Sequence, residues 1–120
     1  MSVKIKILEV EDEAITAMYM KKKLTRIGYE VTSTVATGEK AILSAKQNPP
    51  DVVLMDIRLA GEMDGIDAAF IINTMYNIPI AFITGYDDQI IRERAEIIKP
   101  LGFFTKPVDI NELKSLIDCI

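Results

Sequence analysis

The sequence contains no histidine and only one cysteine among its 120 residues. The absence of histidine excludes a histidine general base, a histidine metal ligand and a phosphohistidine carrier within this chain. Any bound metal would therefore be held by oxygen atoms and should be a hard cation such as Mg²⁺. A single cysteine cannot form an internal disulfide, which fits a protein of the reducing cytoplasm.

Membrane and export signals are also missing from the sequence. No apolar run approaches the ~18 residues of a membrane span, and the first residues lack the small-residue cleavage site of a signal peptide. The net charge of -4 argues against a nucleic-acid-binding domain. A length of 120 residues with 49% hydrophobic side chains is typical of one domain with one core. We therefore expect a single cytoplasmic domain over residues 1–120 that binds neither nucleic acid nor membrane.

Strand-like and helix-like segments alternate along the whole chain. The predicted strands lie at roughly 4–10, 30–35, 51–56, 79–84 and 102–105. The predicted helices lie at roughly 13–27, 38–47, 65–76, 87–98 and 109–119. Five strand–helix units indicate an α/β protein, with a parallel sheet between two layers of helices and right-handed crossovers.

Reactive side chains stand where four of these strands end. Glu11 and Asp12 follow the first strand, Asp56 ends the third, Thr84 ends the fourth and Lys106 follows the fifth. Because parallel strands bring their carboxyl ends to one edge of the sheet, these groups should converge on one crevice. Three carboxylates, a hydroxyl and an ammonium together predict a site for a metal ion and a phosphoryl group.

Each group has a chemical role in such a site. Mg²⁺ takes one or two carboxylates and leaves room for phosphate oxygens, and an aspartate such as Asp56 can form an aspartyl phosphate. Thr84 and Lys106 would neutralise charge on the phosphoryl oxygens. Taken singly, Asp12 is typical of a helix cap, Thr84 of a strand end and Lys106 of a solvated loop. Their coincidence at four strand ends favours the functional interpretation.

Glu11-Asp12, Asp56, Thr84 and Lys106-Pro107, in this order and spacing, resemble the receiver domain of two-component response regulators. The resemblance covers the whole chain. It implies a flavodoxin-like (βα)5 sandwich with a five-stranded parallel sheet in the order 2-1-3-4-5. It further implies a signalling switch rather than an enzyme, in which Asp56 accepts a phosphoryl group from a sensor histidine kinase or a histidine phosphotransfer protein.

The same resemblance implies a ligand set and a switch. Glu11, Asp12, Asp56 and the backbone carbonyl of Arg58 would surround Mg²⁺, with Mn²⁺ as an alternative, and Thr84 and Lys106 would contact the phosphoryl oxygens. Thr84 and Phe103 would form the switch, acting on a face made by the fourth helix, fifth strand and fifth helix. That face would bind a partner or a second copy of the chain. The Lys106-Pro107 peptide bond would be cis.

The sequence departs from the family pattern in several places. The loop after Asp56 is one residue longer than its commonest form, with Ala60 where proline is usual, and the switch aromatic is Phe103 instead of tyrosine. Arg58 and Tyr86 flank the site and are either tuning residues or ordinary loop residues.

Two other functions compete with the receiver interpretation. A phosphatase or mutase with an aspartate nucleophile would carry a second acid two residues after Asp56, where this chain has Arg58. A flavodoxin-type flavin-binding module would cradle phosphate in a loop rich in serine, threonine and glycine. Here that loop is Glu11-Asp12-Glu13, which repels phosphate unless a metal intervenes.

Overall fold

The structure is a computed structural model that describes residues 3–85 and 88–120, in which five strands alternate with five helices. The strands are β1 Lys6–Val10, β2 Glu30–Val35, β3 Val52–Asp56, β4 Ile80–Thr84 and β5 Gly102–Thr105. The helices are α1 Ala14–Arg26, α2 Gly38–Gln47, α3 Gly65–Tyr76, α4 Gln89–Glu96 and α5 Ile110–Ile117. The predicted elements are all present, with ends displaced by at most two residues. The expected start of the fourth helix at Asp87 lies outside the described residues, as does Tyr86.

All neighbouring strands pair in parallel, in the order β2-β1-β3-β4-β5. The two strands β3 and β4 are buried along their whole length, whereas the edge strand β2 is partly exposed. Continuous apolar runs of this kind are typical of parallel strands covered by helices on both faces. The flavodoxin-like (βα)5 architecture is therefore confirmed.

Side chains that alternate along β1 enter two different cores. Leu8 belongs to a cluster that includes Ile72 of α3 and Ala95 of α4. Ile7 belongs to a second cluster, which includes Leu24 of α1 and Leu113 of α5. Successive strand residues point to opposite faces of a sheet, so α3 and α4, together with α2, cover one face while α1 and α5 cover the other.

Helix α1 begins directly after the acidic segment that follows β1. Its N-cap residue is Glu13, so the structure does not support the alternative in which Asp12 serves as the cap. Ala17 and Leu24 are buried along its inner side. Gly28 follows the helix with a φ of 105°, a conformation that favours glycine. The helix therefore starts late enough to leave Asp12 in the loop at the edge of the sheet.

The loop between β3 and α3 returns very close to the end of β3. The Gly65 N–H donates to the Ile57 carbonyl over 2.7 Å, and a Cβ atom at Gly65 would lie only 1.9 Å from the carbonyl oxygen of Asp56. Ala60 forms an isolated parallel bridge with Thr37. The first residue of α3 is thus packed against the backbone of Asp56.

None of the helices in the described part of the chain is both long and apolar enough to cross a membrane.

Candidate functional site at the carboxyl edge of the sheet

The polar strand ends meet at the carboxyl edge of the sheet. Asp56 is the last residue of β3 and is paired in register with Ile83, the residue before Thr84 on β4. Thr84 is in turn paired with Thr105, the residue before Lys106. The parallel register therefore brings Asp56, Thr84 and Lys106 to the ends of three adjacent strands.

Glu11, Asp12 and Asp56 form a cluster of acids. Each offers a carboxylate oxygen, and these oxygens all lie within 4.8 Å of one another. Glu11 and Asp56 are buried, whereas Asp12 is exposed. Hard oxygen donors of this kind match the preference of Mg²⁺, and one exposed acid leaves a route for the ion to enter. The residues present therefore fit a magnesium ion.

Lys106 binds two of these acids. Its Nζ donates to Glu11 Oε1 over 2.6 Å and to Asp56 Oδ2 over 2.9 Å. Partial burial opposes the charged form of Lys106, but the hydrogen bonds and charges of Glu11 and Asp56 outweigh it and raise the pKa of the ammonium. The ammonium therefore remains charged and offsets the repulsion between the clustered carboxylates.

The carboxylate of Asp56 is held on both oxygens. Besides the contact of Oδ2 with Lys106, Oδ1 accepts a hydrogen bond of 3.3 Å from the backbone N–H of Arg58. Thr84 is 1% exposed, and its carbonyl accepts the backbone N–H of Lys106 over 2.8 Å. The Lys106-Pro107 peptide bond is cis. The ends of β4 and β5 are thus joined directly beside the nucleophile candidate.

A groove of about 430 Å³ opens on this site and runs between α1 and α5. Asp56, Glu11 and Lys106 lie among its lining residues, and much of the remaining wall is apolar, including Met20 and Ile110. Its size falls in the range of small-ligand sites. The groove makes the acid cluster accessible from one side.

Glu9 is a carboxylate beside this groove that sequence reasoning missed. It is 3% exposed on β1 and accepts a hydrogen bond of 3.0 Å from the Thr34 hydroxyl. Burial outweighs the lowering effect of the Thr34 hydrogen bond and raises its pKa from 4.5 to about 7, with smaller and opposing effects from the charges of Glu11 and Lys21. The sequence did contain a signal for this burial, because Glu9 lies two residues after Ile7 on the strand and so points to the same face, where the Ile7 side chain enters the core.

Phe103 lies on β5, away from the acids, and is partly buried. Its ring is 6.1 Å from that of Phe82, at an angle of 48°. The guanidinium of Arg92 on α4 lies 4.5 Å from the Phe103 ring centroid, within the range of a cation–π contact. Phe104, by contrast, is buried in the core formed with α1 and α5. The aromatic side chain that contacts α4 is therefore Phe103.

The geometry agrees with what the chain resembles among known proteins. The response regulator receiver domain family matches residues 7–118. The transcriptional regulatory protein PdtaR of Mycobacterium tuberculosis is 32% identical over 108 residues, covering 90% of this chain and 52% of PdtaR. The chemotaxis protein CheY of Thermotoga maritima is 41% identical over 63 residues, which is 52% of each chain.

Solved structures extend the similarity to the whole fold. The receiver domain of a modulated diguanylate cyclase from Desulfovibrio desulfuricans superposes with a TM-score of 0.92 at 33% identity, covering 98% of this chain and 93% of that one. The N-terminal domain of a three-domain response regulator from Carboxydothermus hydrogenoformans gives a TM-score of 0.84 at 30% identity, covering 95% and 91%. The chain spans about half the length of PdtaR. On this evidence the chain belongs to the response regulator receiver domain family, whose members are signalling switches.

Proposed function

We propose that residues 1–120 form one phosphoacceptor receiver domain, in which Asp56 takes a phosphoryl group from the phosphohistidine of a sensor histidine kinase or phosphotransfer protein. One observation carries the proposal: Lys106 Nζ contacts both Asp56 and Glu11 within the acid cluster. A nucleophile, a cation for the transferred group and oxygen ligands for a metal then share one crevice. Family membership supports the same conclusion.

In the transfer, a carboxylate oxygen of Asp56 attacks the phosphorus atom of the donor. A P–O bond forms while the P–N bond to the donor imidazole breaks, and the imidazole nitrogen keeps the electron pair. Lys106 donates to a phosphoryl oxygen, and the Thr84 hydroxyl on the adjacent strand donates to another. Water later attacks the phosphorus atom, the P–O bond to Asp56 breaks, and inorganic phosphate leaves with the carboxylate of Asp56 restored.

Glu11, Asp12, Asp56 and the backbone carbonyl of Arg58 would hold Mg²⁺, or Mn²⁺ in its place. When bound, such an ion neutralises charge on the phosphoryl oxygens. The chain's own groups position the nucleophile, since the Arg58 N–H and Lys106 hold one oxygen of Asp56 each. Breaking the contact with Lys106 would release Oδ2 for reaction.

The phosphoryl group would act as a switch through its charge. It adds roughly two negative charges and three strong acceptors beside Thr84. Thr84 would move toward this anion and pull on residues 84–105, which include α4 and Phe103, biasing an equilibrium between two conformations. The face formed by α4, β5 and α5 would then bind a partner protein or a second copy of the chain.

Phosphorylation is tested with a small donor. Incubated with Mg²⁺ and acetyl phosphate, the wild type should gain one acid-stable, base-labile phosphoryl group, detected by intact mass. Asp56→Asn should gain none, whereas Glu62→Gln, which changes an exposed carboxylate in the same loop, should be labelled like the wild type. Undiminished labelling of Asp56→Asn would remove the central claim.

The switch is tested by hydrogen exchange with and without beryllofluoride, a mimic of the phosphoryl group. Exchange should change within 84–105 as well as in the loop after Asp56. Changes confined to that loop would mean that the anion binds without a switch of this kind.

A further inference from the structure

Arg94 on α4 forms two ion pairs with the beginning of α3. Its Nη1 donates to Asp64 Oδ2 over 3.0 Å, and its Nη2 donates to Asp67 Oδ1 over 3.2 Å. One guanidinium therefore bridges two carboxylates that lie in the N-cap and first turn of the neighbouring helix. The planar, forked geometry of arginine allows this double contact, which the single ammonium of lysine cannot reproduce.

Asp64, one of the two carboxylates that accept from Arg94, also accepts a backbone hydrogen bond. Asp64 Oδ1 accepts the backbone N–H of Asp67 over 2.9 Å, which fixes the Asp64 side chain as the cap of α3. Partial burial opposes the charged form of Asp64, but this hydrogen bond and Arg94 together lower its pKa below the ordinary value. Asp64 is therefore a charged and oriented partner for Arg94.

The N-terminus of α3 also packs against the backbone of Asp56. Asp64 is followed by Gly65, whose N–H binds the Ile57 carbonyl and whose α-carbon has no room for a side chain against the Asp56 carbonyl. A chain of direct contacts thus leads from the backbone of Asp56 through the cap of α3 to Arg94. This route to α4 is separate from the one through Thr84 and the end of β4.

Other contacts hold α4 weakly. Ala95 is its buried residue, and Ile90 is 70% exposed. Ile91 packs against the core from a partly buried position, and Arg92 lies over Phe103. Because little apolar surface of the helix is buried, its ion pairs and hydrogen bonds should contribute a large share of the free energy that fixes its position.

We propose that Arg94 is a positioning residue that holds α4 against the beginning of α3 and thereby opposes the shift of α4 that follows phosphorylation of Asp56. The inference rests on the proposed function. Moving α4 with Thr84 requires the Arg94 contacts to lengthen or break, because Asp64 adjoins Gly65, which is packed against the Asp56 backbone. Removing them lowers the cost of the switched conformation and raises the affinity of the site for a phosphoryl group or its mimic.

The test is a calorimetric titration of beryllofluoride in the presence of Mg²⁺. Arg94→Gln should bind about two- to fivefold more tightly than the wild type, as expected if a partly exposed ion pair is lost from the unswitched state. Arg94→Lys, which keeps the charge but loses the double contact of the guanidinium, should have an intermediate affinity. Arg26→Gln, an exposed arginine of α1 on the opposite face of the sheet, should bind like the wild type.

Asp67→Asn provides a second measurement. It removes the negative charge of one Arg94 partner, leaving a neutral amide oxygen as acceptor, and keeps the backbone N–H that Asp64 accepts. Its effect on affinity should be smaller than that of Arg94→Gln and should vanish in the Arg94→Gln background, as for two members of one interaction. A merely structural ion pair would change the free energy of unfolding without changing beryllofluoride affinity.

The outcomes separate the two proposals. If the wild type fails to bind beryllofluoride, the proposed function falls and this inference falls with it. If the wild type binds and Arg94→Gln binds equally or more weakly, the inference about Arg94 alone is overturned.

Discussion

The Nζ atom of Lys106 lies 2.9 Å from Oδ2 of Asp56, although the two residues are 50 positions apart in the chain. The parallel register of β3, β4 and β5 creates this contact, because it brings the ends of the three strands together. The contact joins the cation to the nucleophile before any phosphoryl group arrives. It also explains how buried Asp56 and Glu11 tolerate each other, since a buried charge needs a partner.

Replacing Lys106 by methionine should destabilise the metal-free protein. Glu11 and Asp56 would remain buried without their cation, so the free energy of unfolding in EDTA should fall by about 1–3 kcal/mol. Saturating Mg²⁺ should recover part of this loss, because a cation then returns to the cluster. Urea unfolding with EDTA and with Mg²⁺ measures both effects, with Lys22→Met on the exposed side of α1 as control. Equal losses in the two conditions would contradict the prediction.

Asp12→Asn should weaken Mg²⁺ binding at least about tenfold, because Mg²⁺ in proteins depends on one or two carboxylates. Its metal-free form should be as stable as the wild type or slightly more stable, since one repelling charge has been removed from the cluster. Calorimetric Mg²⁺ titration and urea unfolding test these statements. Glu13→Gln, which changes the adjacent acid outside the cluster, should keep wild-type affinity. An unfolded Asp12→Asn protein, or one with intact affinity, would refute the metal site.

Gly65→Ala should destabilise the protein by more than about 2 kcal/mol, because the new methyl group would overlap the Asp56 carbonyl and force the backbone to move. Gly85→Ala is a matched control, since a Cβ atom there meets no atom of the described residues within 4 Å. Thermal and urea unfolding of the two variants should differ clearly. Similar midpoints for both would show that the loop after Asp56 relaxes freely, contrary to the close packing seen here.

Glu9→Gln should stabilise the protein, and more so as the pH rises. The wild-type carboxyl has a pKa raised mainly by burial to about 7, so the folded state binds its proton more tightly than the unfolded chain does. The stability that this tighter proton binding gives the folded state is therefore fully present below about pH 4.5 and is lost as the pH rises through 7. The difference in the free energy of unfolding between Glu9→Gln and the wild type should grow over this window to about 1–3 kcal/mol and then level off.

Urea unfolding in EDTA between pH 4.5 and 8.5 measures this effect, because EDTA keeps the neighbouring acids metal-free. Glu30→Gln, on the exposed start of β2, should show a difference from wild type that varies little with pH. A Glu9→Gln variant that is less stable than wild type at pH 8 would mean that the buried carboxylate has a stabilising partner.

Local patterns located most of the elements correctly. The range 65–76 for α3 and the ranges of β2, α2 and β5 agree with the structure, because apolar spacing and turn residues are local properties of the chain. The carboxyl ends of α4 and α5 lie two residues before the expected positions, since final turns depend on capping contacts. Asp109 caps α5, because its carboxylate accepts hydrogen bonds from the backbone N–H groups of Asn111 and Glu112.

The meeting of the principal acids could also be predicted from the sequence, because parallel strands bring their carboxyl ends to one edge of the sheet. Glu11, Asp12 and Asp56 meet there as expected, and Lys106 joins them. The roles assigned to these residues in metal binding and phosphoryl transfer stay predictions. The strand order, by contrast, came from family resemblance, since no local pattern determines which strands are neighbours.

Three features were decided only by the tertiary structure. Arg94 meets Asp64 across 30 positions, a pairing that depends on how α4 packs beside α3. Gly65 must be glycine because the backbone of Asp56 lies against it, and Glu9 accepts a hydrogen bond from Thr34 across 25 positions. The sequence by itself determined which segments form strands and which side chains stand at their ends, since both follow from local periodicity. Distances between such segments depend on packing, which no local pattern contains, so only the folded chain decided which charges are paired and which are buried.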